Sequence, residues 1–179
     1  MAGTIFIVII LLVCVAGLGY LKFRGIQALT FTHIDLTGLS LDEIVAIGGN
    51  ASRSLGDRLT GRTPAARRAG SGAEWSVGVR HSVMAFSVKP LPDDKGYRVG
   101  GVATKMRVAQ VNFGSDRGYW GWSKAMTNGI YRMLGIPENA PGLVRLRKRV
   151  LRAIANEGTL IPAAPPQYLP QMEPTGTEH

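Results

Sequence analysis

The sequence predicts an α+β protein in which a single N-terminal transmembrane helix precedes a curved antiparallel sheet covered by helices. Three observations carry that prediction. Thr4 to Leu21, "TIFIVIILLVCVAGLGYL", is a run of 18 residues without a charge. Beyond it the apolar period changes from helical to two and back to helical. The 179 residues, 45% hydrophobic and 18% charged, suffice for one ordinary core and not two.

The apolar run is about 27 Å long as a helix, close to the roughly 30 Å hydrocarbon core of a bilayer. A cleaved signal peptide fits poorly, because no Lys or Arg precedes the run and no clear small-x-small cleavage site follows it. A buried core helix fits poorly because the run is apolar on every side. All 21 Lys and Arg and all 12 acids follow Leu21, so the whole +9 charge belongs to the remainder of the chain. Lys22 and Arg24 lie immediately behind the run, and by the positive-inside rule they place the following domain in the cytoplasm, beneath an inner (plasma) membrane. Cys14, the single cysteine, sits inside the run, so no intramolecular disulfide can form.

Beyond this anchor, residues 1–24, a basic α+β domain is expected over 25–157, and a Pro-rich disordered tail over 158–179. Phe31 to Thr37 alternates as a short strand, with Phe31, His33 and Asp35 on one side. Ser40, Leu41, Asp42 and Glu43 form a capping box, with Leu39 and Ile44 as a hydrophobic staple. The helix they open keeps apolar spacing through Leu41, Ile44, Val45, Gly48, Ala51, Leu55 and Leu59. Gly48 and Gly49 weaken it by roughly 1 kcal/mol each relative to alanine, which implies a bend or a very close approach. Asn50, Ala51 and Ser52 match a glycosylation acceptor pattern but fall inside this helix. "GRTPAARRAGSG", 61–72, reads as a connection.

From Glu74 the period is two: Trp75, Val77 and Val79 share a face, and Met84, Phe86 and Val88 resume on the other parity, so a turn or bulge lies near His81. "PLPDDKG", 90–96, is a reversal. Another strand region covers 97–113, giving three or four antiparallel strands. Lys124 to Leu134 forms a helix ended by Gly135 and Pro137, after Tyr119, Trp120 and Trp122 in an aromatic loop. Pro141 opens a last helix to about Asn156, with Leu143, Leu146, Val150, Leu151 and Ile154 on one face and Arg145, Lys148, Arg149 and Arg152 on the other. The tail carries five prolines and no apolar period. This order of elements is similar to the helix-grip arrangement of small lipid- and ligand-binding domains, in which a long last helix closes a cavity over the sheet.

The chemistry that can be read is sparse. His33, His81 and His179 have no paired ligand spacing, and the lone cysteine is in the anchor, so no metal is expected. Neither a Gly-x-Ser-x-Gly elbow nor a phosphate loop occurs. Asp93 and Asp94 are turn residues. His33 and Asp35 share a strand face and could orient a proton, but nothing places a nucleophile beside them. A non-enzymatic role without cofactors is therefore expected. The "VRLRKRVLR" segment, 144–152, has the density of a phosphate-binding helix, yet a tethered domain meets anionic headgroups first, at about 1 kcal/mol per basic residue near the surface. Membrane lipid is preferred over nucleic acid as partner.

The expected function is a membrane-anchored binding module for a hydrophobic ligand or lipid. Tyr119, Trp120, Trp122, Trp75 and Phe86 are the candidate ligand residues, and Arg145, Lys148, Arg149 and Arg152 the candidate headgroup residues. The alternative is a structural or interaction subunit of a membrane protein complex. A large empty apolar pocket favours the first; a filled core with an exposed apolar patch near the anchor favours the second.

Overall fold

Helix α1, Ala2–Leu29, opens the chain, and over Thr4–Leu29 it is long and apolar enough to cross a membrane. The computed structural model describes residues 2–54, 64–112 and 118–162. From Ile5 to Val13 the large side chains of α1 touch no other part of the protein's core and are about half to two-thirds exposed. Its last two turns behave differently. Gly25 and Ala28 are buried, and Ala28 belongs to the same apolar cluster as the domain.

Strand β1, Thr32–Thr37, follows after a two-residue break. The capping box forms as predicted: the Ser40 hydroxyl accepts from the Glu43 N–H, and the Glu43 carboxylate accepts from the Ser40 N–H at 2.8 Å. Helix α2 then runs Leu41–Ser52, with Asn50, Ala51 and Ser52 in its last turn. It ends at Ser52, short of the predicted Leu59; Leu55 and Leu59 lie outside the described residues. The Gly48 question resolves as close approach, since a Cβ there would stand 2.6 Å from the Trp75 ring.

Strands β2 (Ala66–Ala69), β3 (Gly72–Val79), β4 (Ser82–Pro90) and β5 (Tyr97–Lys105) form a meander. The reversal near His81 is a two-residue turn with Arg80 at φ 55°, and a register shift falls between Val83 and Met84. Two strands were not foreseen. β2 lies within the segment read as a connection, and β6, Thr159–Leu160, within the segment read as tail. The result is a six-stranded antiparallel sheet ordered β2-β3-β4-β5-β1-β6. Residues beyond Pro162, His179 among them, lie outside the described residues, as does Phe113.

Helix α3 is Gly118–Leu134 and helix α4 is Ala140–Glu157. Tyr119, Trp120 and Trp122 therefore belong to a helix and not to a loop. α2, α4 and the base of α1 lie on one face of the sheet, against Leu36, Ala73, Trp75, Met84, Phe86, Val88 and Val99. The core between them is filled: Leu36, Ile44, Met84, Phe86, Leu143, Val150 and Ile154 are each at most 1% exposed.

Candidate functional site

Alternation along each strand turns the even-numbered residues of β4 and the odd-numbered residues of β3 and β5 toward the helices. Trp75 and Phe86 are among them, directly paired across β3 and β4 with rings stacked at 5.2 Å. The Trp75 indole N–H donates to the Ser52 hydroxyl at 3.2 Å, and that hydroxyl donates to the Gly48 carbonyl at 2.7 Å. With exposures of 3% and 1%, these two rings fill the core and wall no space beneath the helices.

Among the described residues no helix covers the opposite face of the sheet. Here Ser76, Ala85, Ser87, Val102 and Thr104 floor an open groove of about 440 Å³, with Phe31 at one side and Arg67 and Glu74 at the other. Trp75 and Phe86 edge it only from behind, their side chains being turned to the helices. Phe31 lies where Gly100 has no side chain, since a Cβ on Gly100 would stand 2.2 Å from its ring, and it stacks on His33 at 5.7 Å.

Asp35, beside His33, is engaged elsewhere. It accepts two bonds from the Arg98 guanidinium, both 2.8 Å, from the directly opposite position on β5. Those hydrogen bonds hold its carboxyl below the usual carboxylate range; partial burial opposes them, and the charges of Arg98 and His33 act in the same direction as the bonds. A depressed carboxylate contributes stability at neutral pH that disappears as pH falls through its folded value. Asp35→Asn is therefore expected to start less stable than the parent at neutral pH and to converge with it on acidification, read from denaturant midpoints along a pH series. Parallel curves would refute the assignment.

Arg145, Lys148, Arg149 and Arg152 are all exposed along one side of α4. Arg145 and Arg149 also border, with Arg80, Ser52 and Ser54, a cleft of about 490 Å³ between the ends of α2 and β3 and helix α4. His81 Nδ1 is 3.4 Å from the Glu138 carboxylate. Among the described residues no group of three or more His, Cys, Asp or Glu side chains is gathered as a metal site.

Arg147 is the residue that sequence reasoning missed. It is 6% exposed, and its Nη1 donates to the Thr30 carbonyl at 2.6 Å, just past the end of α1, and to the Gly101 carbonyl at 3.4 Å. Burial pulls its pKa down from the ordinary arginine value, but a guanidinium stays charged in proteins. A buried cation at a helix C-terminus meets the negative end of the macrodipole. The signal lay in phase: 143, 147, 150 and 154 share one helix face.

The structure thus brings Trp75 and Phe86 together in the core, gathers the four exposed cations on α4, and leaves Tyr119, Trp120 and Trp122 apart on α3. Compared with protein families, curated proteins and solved structures, the chain matches none.

Proposed function

We propose that the protein is a single-pass, membrane-anchored, non-enzymatic binding module whose domain sits on the cytoplasmic side of an inner (plasma) membrane and takes a hydrophobic ligand or a lipid. The observation that supports this reading is the joint between α1 and the domain. Gly25 abuts Pro137, Ala28 enters the core, and Arg147 holds Thr30. A flexible linker would let the domain wander; this joint holds it at a fixed attitude to the anchor. Phe31, one wall of the sheet groove, follows the joint directly. A helix-grip-like arrangement would put the ligand under α4, but Phe86, Leu143, Val150 and Ile154 fill the middle of that space and leave only the edge cleft beside Arg145 and Arg149, so the open groove on the far face is taken as the site.

The joint also orders the cations. Gly25 of α1 meets Pro137, and Thr30 meets Arg147, so α4 runs away from the bilayer in the same sense as α1. Arg145 is then the exposed α4 cation nearest the headgroups. Arg152 lies about 10 Å further along the helix, beyond the Debye length of about 8 Å in physiological salt. Anionic lipid is expected to draw the basic face closer in nanodiscs, read by energy transfer from labelled lipid to a dye at position 156. Arg145→Gln should remove more of that approach than Arg152→Gln. Equal transfer in neutral and anionic nanodiscs sinks the headgroup part of the proposal.

A second reading, an interaction subunit of a membrane complex, is favoured by the filled core. Native mass spectrometry of the full-length protein from its host membrane separates the two. A stoichiometric apolar molecule supports the first, and a co-purifying protein without one supports the second.

A further inference from the structure

Helix α3 is built the wrong way round for a globular protein. None of its residues is buried, although it carries Tyr119, Trp120, Trp122, Met126 and Met133, which are 72, 55, 63, 46 and 79% exposed. At about 100° per residue, Tyr119, Trp122, Met126 and Met133 lie on one side of the helix. Asn128, on the other side, ties α3 to the segment that precedes it. Its side chain accepts from the Val111 N–H at 2.8 Å and donates to the Val111 carbonyl at 3.2 Å. The side with Thr127, Asn128 and Tyr131 thus meets the protein, and the side with Tyr119, Trp122, Met126 and Met133 meets the surroundings.

The foot of α3 fixes where that face is held. Gly135, at φ 61°, ends the helix, Ile136 is fully buried, and Pro137 abuts Gly25 of α1. Gly135 and Pro137 share a cleft of about 290 Å³ with Lys22, Ile26 and Leu29. Lys22 and Gly25 belong to the first turn beyond the uncharged run, and Ile26 and Leu29 to the second. α3 also contains no acid, only Lys124 and Arg132.

We propose that α3 is an interfacial helix, lying on the bilayer with Tyr119, Trp122, Met126 and Met133 among the headgroups and upper acyl chains. The occupant of its apolar face is lipid and not a protein. The foot of α3 is held against the emerging anchor through Pro137 and Gly25, and tryptophan and tyrosine combine an apolar ring with a polar tip suited to that zone. An amphipathic helix beside a spanning helix adds buried apolar area without crossing the membrane. This inference rests on the reading of α1 as a membrane anchor.

The test uses full-length protein in vesicles and its own tryptophans. Trp75 is in the core, and Trp120 lies about 100° round the helix from Tyr119, off the proposed face, so Trp120→Phe is the reference that reports Trp122, and Trp120→Phe/Trp122→Phe leaves a signal that lipid does not reach. Brominated phosphatidylcholine is expected to quench the reference strongly and the double variant weakly, while aqueous iodide quenches neither. Equal weak quenching of reference and double variant by brominated lipid overturns the proposal: with iodide quenching the reference, the face is in water, and without it a second copy of the protein covers the face. Alkaline carbonate distinguishes the two failures. Protein that stays with the vesicles but shows no lipid quenching loses only the α3 inference; protein released from them loses the anchor reading as well.

Discussion

Arg147→Met is expected to lower the stability of the full-length protein in detergent by about 2–4 kcal/mol, the range for removing a buried, charge-assisted donor whose acceptors stay behind. Methionine is close to the volume of the arginine stem, so packing changes little. What changes is that the Thr30 and Gly101 carbonyls, both served by Nη1, lose their donor. Replacing a buried ionic group by an apolar one is often harmless when its partner leaves too. Here the partners are backbone and cannot leave. Arg147→Lys keeps the charge, but its ammonium ends one bond short of the Nη1 position and so reaches the two carbonyls less well, and it should fall between parent and Met variant. Urea midpoints followed through Trp75, in a background with Trp120 and Trp122 replaced by phenylalanine, read the effect. A Met variant as stable as the parent would show that α1 is not fastened by this residue.

Gly48→Val should destabilise by about 3 kcal/mol, at the upper end of overpacking costs, although helix propensity alone favours the change. The new Cβ would lie 2.6 Å from Trp75 Cζ2 and 3.3 Å from Ile154 Cδ1. The indole cannot step aside, because it is stacked on Phe86 and hydrogen-bonded to Ser52. Gly48→Ala meets the same ring with two fewer methyl groups and should lose about 1 kcal/mol, net of its helix gain. A gain in the Ala variant, measured by the same urea midpoints, would mean that the ring yields freely.

These two residues also show what could be read in the sequence. The capping box at Ser40 and Glu43, the uncharged run, and the alternation through Trp75, Val77, Met84, Phe86 and Val88 are local patterns, and each formed. Gly48 announced a bend or a close approach without deciding between them or naming a partner, since Trp75 comes from a strand 27 positions on. β2 and β6 have only exposed side chains; they exist through register with neighbours, which leaves no apolar alternation to detect. The start of α3 was hidden by Gly118 and Gly121, whose low helix propensity argued for a loop, though the spacing of Tyr119, Trp122, Met126 and Met133 was there to be counted. Arg147 was lost in a run of cations. Density suggested a surface, and only helix phase separates it from Arg145, Lys148 and Arg149.

The fastening of α1 has one more consequence in the membrane-anchored arrangement proposed above. Spanning helices answer changes in bilayer thickness by tilting. Because Gly25, Ala28 and Thr30 are locked to α4 and the core, a tilt of α1 swings the whole domain through the same angle. The protein is then a pointer whose direction over the membrane is set by the thickness of the lipid beneath it.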